Sequence, residues 1–177
     1  KNHTNTFLDK RSIVDIKTKE VPECDGIIGG PPCQSWSEAG KLRGIDDKRG
    51  QLFFEFIRMI ENKKPKFFLA ENVSGMLAPR HKSALDNIKK MFRDCGYELS
   101  IKLLNSSDYS VPQDRLRVFF IGIRKDLGFK YKFPKPDQNK ISLKDSIWDL
   151  RGSVLPSLDK NKTNSIKCVI PNHEYLT

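Results

Sequence analysis

One cysteine, one glutamate and two arginines stand out as residues that could carry out covalent chemistry together. Cys33 lies in "GGPPCQSW", after the apolar pair Ile27-Ile28. The two prolines lack a backbone donor and have a fixed φ, so a strand must stop there. The glycines let another backbone or a ligand come close, and a stiff turn holding one thiol at a set place is expected. Glu71 and Asn72 end a second apolar run, "KFFLAENV", while Gln113, Arg115 and Arg117 lie in "QDRLR", just ahead of a third, "VFFIGI". Each has a bland reading alone: a buried inert thiol, a helix cap, surface charges. Together they suit one reaction class. A thiolate adds to an electron-poor ring carbon when a nearby acid protonates the ring and stabilises the adduct. A guanidinium can hold a ring carbonyl oxygen and orient the carboxyl group.

Other thiol chemistries fit less well. A cysteine phosphatase needs an arginine six residues after its cysteine, and that position is Ala39. A Cys-His hydrolase needs a histidine base, and none of His3, His81 and His173 stands at an evident strand end, although spacing alone leaves His81 open. Cys24, Cys33, Cys95 and Cys168 form no Cys-x-x-Cys pair and lie away from the histidines. Zinc and thioredoxin-like sites therefore lack their local signature, and no metal is expected. With no export signal, the cysteines read as reduced thiols of a cytoplasmic protein.

The elements that must position these residues follow from the apolar pattern. "CDGIIGG" reads as a buried strand closed by glycines. The polar loop "QSWSEAGKLRGIDDKRG" comes next, and loops of that length are often lids or binding loops. "QLFFEFIRMIENKK" puts Leu52, Phe53, Phe56, Ile57 and Ile60 at helical spacing, with Arg58 and Glu61 off that face and Pro65 closing it. "KFFLAENV" is a strand ending at Glu71, and "HKSALDNIKKMFRDCG" is an amphipathic helix through Leu85, Ile88 and Phe92, stopped by Gly96. "YELSIKLLN" and "VFFIGI" are strands joined by the polar "SSDYSVPQDRLR". Strands alternating with helices argue for a mostly parallel α/β sheet, and the closeness of the last two strands for an antiparallel hairpin at one edge. In such sheets ligands gather at the carboxyl ends of the strands, where these polar clusters sit. After Lys125 the chain turns rich in Lys, Asn and Pro, with only "LKDSIWDL" helical in pattern. Residues 1–133 are read as one domain and 134–177 as a linker leading into a second region.

Composition sets the partner class. The chain has 177 residues, 37% hydrophobic and 31% charged, with 32 Lys and Arg against 22 Asp and Glu, a net charge of +10. That balance suits attraction to a polyphosphate, most often nucleic acid, but does not choose its type. No stretch has the apolar length to span a bilayer, so a membrane partner is not expected.

"GGPPCQSWS", "ENV" and "QDRLR", in this order and with "RGQLFFEFIRMI" between the first two, closely resemble the motifs of the DNA cytosine-5 methyltransferases. The resemblance runs to about Arg124, and the tail "LDKNKTNSIKCVIPNHEY" is similar to the start of the target-recognition region in bacterial restriction–modification members that modify GGCC. It implies a Rossmann-like class I S-adenosylmethionine-dependent methyltransferase core. It also implies double-stranded DNA as substrate, base flipping, S-adenosylmethionine as cofactor, a paired restriction endonuclease and a bacterial cytoplasm. Residue by residue, Cys33 attacks C6 of cytosine, and Glu71 bonds ring N3 and shares the proton there. Arg117 contacts the base O2 and Glu71, and Arg115 contacts backbone phosphate or braces the loop. Pro31 offers its carbonyl to the exocyclic amine, Asn72 fixes the turn under Glu71, and Gln34, Ser35 and Gln113 join the substrate side. Ser12, Ile13, Pro32 and Leu52 fall on the cofactor side. A lowered Cys33 pKa is not required, because the nucleophile can form as the base is protonated.

The family's Phe-x-Gly-x-Gly cofactor turn has no counterpart here, and Ser12 stands where the family usually has an Asp at the adenine amine, with Asp15 three residues on. The late closing motifs are also absent. The expectation is therefore an incomplete core, the catalytic middle of a longer enzyme, binding cofactor poorly as it stands. Three alternatives remain open: a catalytically silent nucleic-acid-binding fragment, a tRNA cytosine-5 methyltransferase, and an unrelated nucleotide-binding α/β protein.

Overall fold

The computed structural model describes residues 6–32, 48–137 and 140–147. Cys33, Gln34 and Ser35 lie outside the described residues, as does most of the polar loop that follows them. The chain divides into two compact units, Lys1–Leu104 with Leu116–Pro134 and Asn105–Arg115 with Lys135–Thr177.

The first unit is built on a sheet of β1 (Gly26–Gly29), β2 (Phe67–Val73), β3 (Tyr97–Asn105) and β4 (Leu116–Arg124), in the order β1-β2-β4-β3. β1 and β2 are parallel, and β2 and β4 antiparallel. Along β3 and β4, Lys125 N donates to Gly96 O at one end and Ser106 N to Arg115 O at the other. One index rises as its partner falls, so this pair is antiparallel too. β3 thus runs with β1 and β2, and the expected hairpin forms one edge. Its returning strand, β4, sits inside the sheet rather than at the rim.

Helix α1 (Lys48–Lys63) starts three residues earlier than its pattern predicts, and α2 spans Lys82–Asp94. Lys64 takes a positive φ of 46° and Pro65 follows, which ends α1 where no further helical turn is possible. Phe53, Phe56, Ile57 and Ile60 of α1 and Leu85, Ile88 and Phe92 of α2 are all buried. They cover the face of the sheet that carries Phe68, Ala70, Val118 and Phe120. Leu52, expected on that apolar face, is only half-buried. Phe68 is the hub, its ring centre 4.4 Å from that of Phe92 and 5.2 Å from that of Tyr97. Gly29 is required beneath the core, because a Cβ there would lie 2.7 Å from the Phe56 ring. On the opposite face Ile28 and Val73 are exposed.

Tyr97 is buried, and its hydroxyl donates to Pro65 O at 2.7 Å. Burial pushes the phenol up to about 12 from an ordinary 10. The folded state therefore holds this proton more tightly than the unfolded chain. Its contribution is complete below the unfolded pKa and is lost as pH rises through the folded one. Urea unfolding followed from pH 10 to pH 12 is expected to show falling stability. Tyr97→Phe is expected to flatten that slope and, by leaving a buried carbonyl without its donor, to cost about 1–2 kcal/mol at neutral pH.

In the second unit, α3 (Leu143–Ile147) begins with a reciprocal cap. Asp145 N donates to Ser142 Oγ, and the Asp145 carboxylate accepts from Ser142 Oγ and N. The remainder of the predicted helical stretch, 148–150, is outside the described residues.

Candidate active site

β2 and β4 build the acidic part of the site. In their antiparallel register Glu71 lies opposite Phe119 and Val73 opposite Arg117. Residues two apart in a strand share a face, so Glu71 and Arg117 are diagonal neighbours on one face, within reach of long side chains. Arg117 Nε donates to Glu71 Oε1 at 2.8 Å, and a second guanidinium nitrogen donates to Leu116 O at 2.8 Å. The two side chains are 22% and 34% exposed, a half-sheltered pair still open to solvent. Glu71 Oε2 lies over Gly30, where an added Cβ would sit 3.5 Å from it. The bare glycine keeps that side of the carboxylate open.

Asn72 points to the other face and is buried. Its Nδ2 donates to Pro31 O at 2.9 Å, while its Oδ1 accepts from Val73 N at 2.9 Å. The parallel pairing of Gly29 with Ala70 carries Gly30 and Pro31 alongside Glu71 and Asn72. Asn72 thus fixes the Pro31 turn to β2, two residues before Cys33. Pro31 O keeps a second lone pair for another donor. β2 runs to Val73, two residues past its expected end, because the ladder to β4 continues to Arg117.

Arg115 and Gln113 belong to the second unit, and both side chains are exposed. Asn105, not singled out in the sequence, organises their loop. Its Oδ1 accepts from Arg115 N at 2.9 Å and its Nδ2 donates to Asp114, while Gln113 N donates to Val111 O. His81 is buried at the start of α2 and its Nε2 accepts from Arg80 Nε at 3.0 Å, which occupies the lone pair a base would use.

On the expected cofactor side, Ser12 is exposed while Ile13, Pro32 and Leu52 are half-buried. Ser12 and Ile13 lie in a turn closed by Asp15 N to Ser12 O at 2.9 Å. Arg11 pairs with Asp9 and Glu20 across the same segment, and its guanidinium holds the Asp9 carboxyl below the usual carboxylate range. Among the described residues no group of His, Cys, Asp and Glu is arranged to hold a metal. No described helix is long and apolar enough to cross a membrane.

The whole chain, residues 1–177, matches the family model for C-5 cytosine-specific DNA methylases. It is 57% identical over 181 residues to the type II methyltransferase M.NgoPII of Neisseria gonorrhoeae, covering 99% of this chain and 52% of the relative. It is 55% identical to M.FnuDI of Fusobacterium nucleatum, covering 100% and 52%. The chain spans about half the length of these curated relatives. An E. coli structure described as a prophage-encoded DNA modification methyltransferase superposes with a TM-score of 0.65 at 28% identity, over 84% of this chain and 42% of that one. The DNMT2 of Spodoptera frugiperda, at 24% identity and a TM-score of 0.64 over 90% of this chain and 49% of its own, shares the fold. This partial Rossmann-like methyltransferase sheet, with its acid–arginine pair beside a diproline turn, belongs to the C-5 cytosine-specific DNA methylase family.

Proposed function

We propose that this chain forms the catalytic middle of an enzyme that methylates C5 of cytosine in double-stranded DNA, with the target base flipped from the helix. The observation that carries the reading is the Glu71–Arg117 pair at 2.8 Å, beside a Pro31 turn that Asn72 holds two residues ahead of Cys33. Cys33 sulfur forms a bond to C6 as the C5–C6 double bond opens, its thiol proton passing to water while a proton shared with Glu71 settles on N3, which moves electron density to C5. Arg117 steadies Glu71 and the ring O2, Arg115 a phosphate or the loop, and Gln34, Ser35 and Gln113 line the substrate side. Pro31 O accepts from the exocyclic amine and so favours cytosine over a base with a carbonyl there. S-adenosylmethionine, when bound, supplies the methyl group on a sulfonium leaving group. Loss of the C5 proton to water then breaks the bond to sulfur, returns the N3 proton to Glu71 and restores Cys33.

The residue types suit that cofactor: Ile13, Pro32 and Leu52 are half-buried apolar side chains of the kind that flank a purine, and Ser12 is exposed and carries a hydroxyl. The net charge of +10 supports a nucleic-acid partner. The relatives' type II names support protection against a partner endonuclease.

The test is transfer of labelled methyl groups by a full-length enzyme carrying this chain, with duplex DNA and tRNA offered separately. Labelled cytosine in duplex DNA, and a denaturant-stable complex with DNA containing 5-fluorocytosine, are expected. Labelling of tRNA alone would move the substrate to RNA. Labelling of neither by a cofactor-bound enzyme would leave a binding module.

A further inference from the structure

We infer that Arg58 is a positioning residue for the adenine side of the cofactor pocket, an inference that rests on the function proposed above. Arg58 lies on α1, off the apolar face, and each nitrogen of its guanidinium has a partner. Nη1 donates to Thr18 Oγ1 at 2.6 Å, and Nη2 to Ile16 O at 2.9 Å and Ile13 O at 3.2 Å. Nε donates to Glu55 at 2.6 Å, which sets the side chain's rotamer from the same helix.

These bonds join α1 to a stretch with no sheet ladder of its own. Residues 12–16 are held locally by Asp15 N to Ser12 O and by two longer bonds, Val14 N to Ser12 Oγ and Ile16 N to Ile13 O, both at 3.4 Å. A turn this lightly bonded opens readily unless something outside ties it. Arg58 does so through two backbone carbonyls and a hydroxyl, a geometry that a planar fork of donors satisfies and a single ammonium cannot. The tie matters because the same helix carries Leu52, on one wall of the proposed pocket, while the turn it grips carries Ser12 and Ile13, on another. One guanidinium therefore sets the spacing between two walls, and a shift of about 1 Å in such a wall can weaken function about a hundredfold.

Arg58→Ala in a full-length enzyme is expected to raise the KM for S-adenosylmethionine by about 10–100-fold, with kcat and the KM for DNA within about threefold. Arg58→Lys keeps a charge beside Glu55 and loses the fork, so an intermediate rise of several-fold is expected. In the same full-length enzyme, hydrogen exchange at the amides of Asp15 and Ile16 should quicken in both variants. Faster exchange with an unchanged cofactor KM in Arg58→Lys would make the tie merely structural and overturn the inference. An equal loss in kcat and both KM values would do the same. A wild-type enzyme that transfers no methyl group would overturn the proposed function itself, and this inference with it.

Discussion

Cys33→Ser in a full-length enzyme carrying this chain is expected to lower methyl transfer by on the order of 10⁵-fold, as loss of a nucleophile typically does. DNA binding should stay within about threefold. The substitution changes one atom, sulfur to oxygen. The hydroxyl is far harder to ionise and a weaker nucleophile, and no base is placed to activate it in the proposed chemistry. Protonation at N3 alone then leaves C5 without the electron density that addition to C6 provides. Two measurements check this together: single-turnover methylation, and the denaturant-stable complex with 5-fluorocytosine DNA, which should vanish. A serine variant keeping a tenth of wild-type activity would remove covalent catalysis from the account.

Glu71→Gln comes next in size, with an expected fall in kcat of about 10²–10⁴-fold, the usual worth of a positioned general acid. Glutamine has nearly the same shape and can still meet Arg117, but it cannot hand a proton to the ring. The KM for DNA should move little, because the Glu71 side chain is one contact among many. Arg117→Ala should cost less in the glutamine background than in the wild type. In the proposed site the guanidinium acts in part through the carboxylate that it bonds at 2.8 Å, and groups acting as a unit are not additive. A glutamine variant within threefold of wild type, or strict additivity of the pair, would take the proton relay away from these two residues.

Much of this frame is legible in the chain because it depends on local pattern. β3 occupies the predicted Tyr97–Asn105 stretch, and Leu85, Ile88 and Phe92 of α2 are buried as their spacing requires. What the local pattern cannot encode is pairing at a distance. Nothing in "VFFIGI" says that its strand inserts beside β2 instead of lying at the rim, and it is that insertion which puts Arg117 diagonal to Glu71. Asn72 is visible as a polar neighbour of Glu71, but its partner, Pro31 O, is fixed only by the β1–β2 register. Arg58 and Asn105 were missed for the same reason. An arginine off an apolar helix face and an asparagine at a strand end look like solvated residues until their carbonyl and amide partners are in place.

The adjacency of Glu71 and Asn72 makes β2 a ruler. The carboxyl group looks out across one side of the sheet, while the amide beside it reaches through to grip the turn from the other. Insert or delete one residue upstream in that strand, and the two exchange sides. The acid would then be aimed among phenylalanine rings and the amide toward the face that Glu71 and Arg117 share. The strand can therefore tolerate changes of identity on its outer positions far better than any change of length, and a frame of seven residues keeps the proposed acid and the grip on the Pro31 turn in phase.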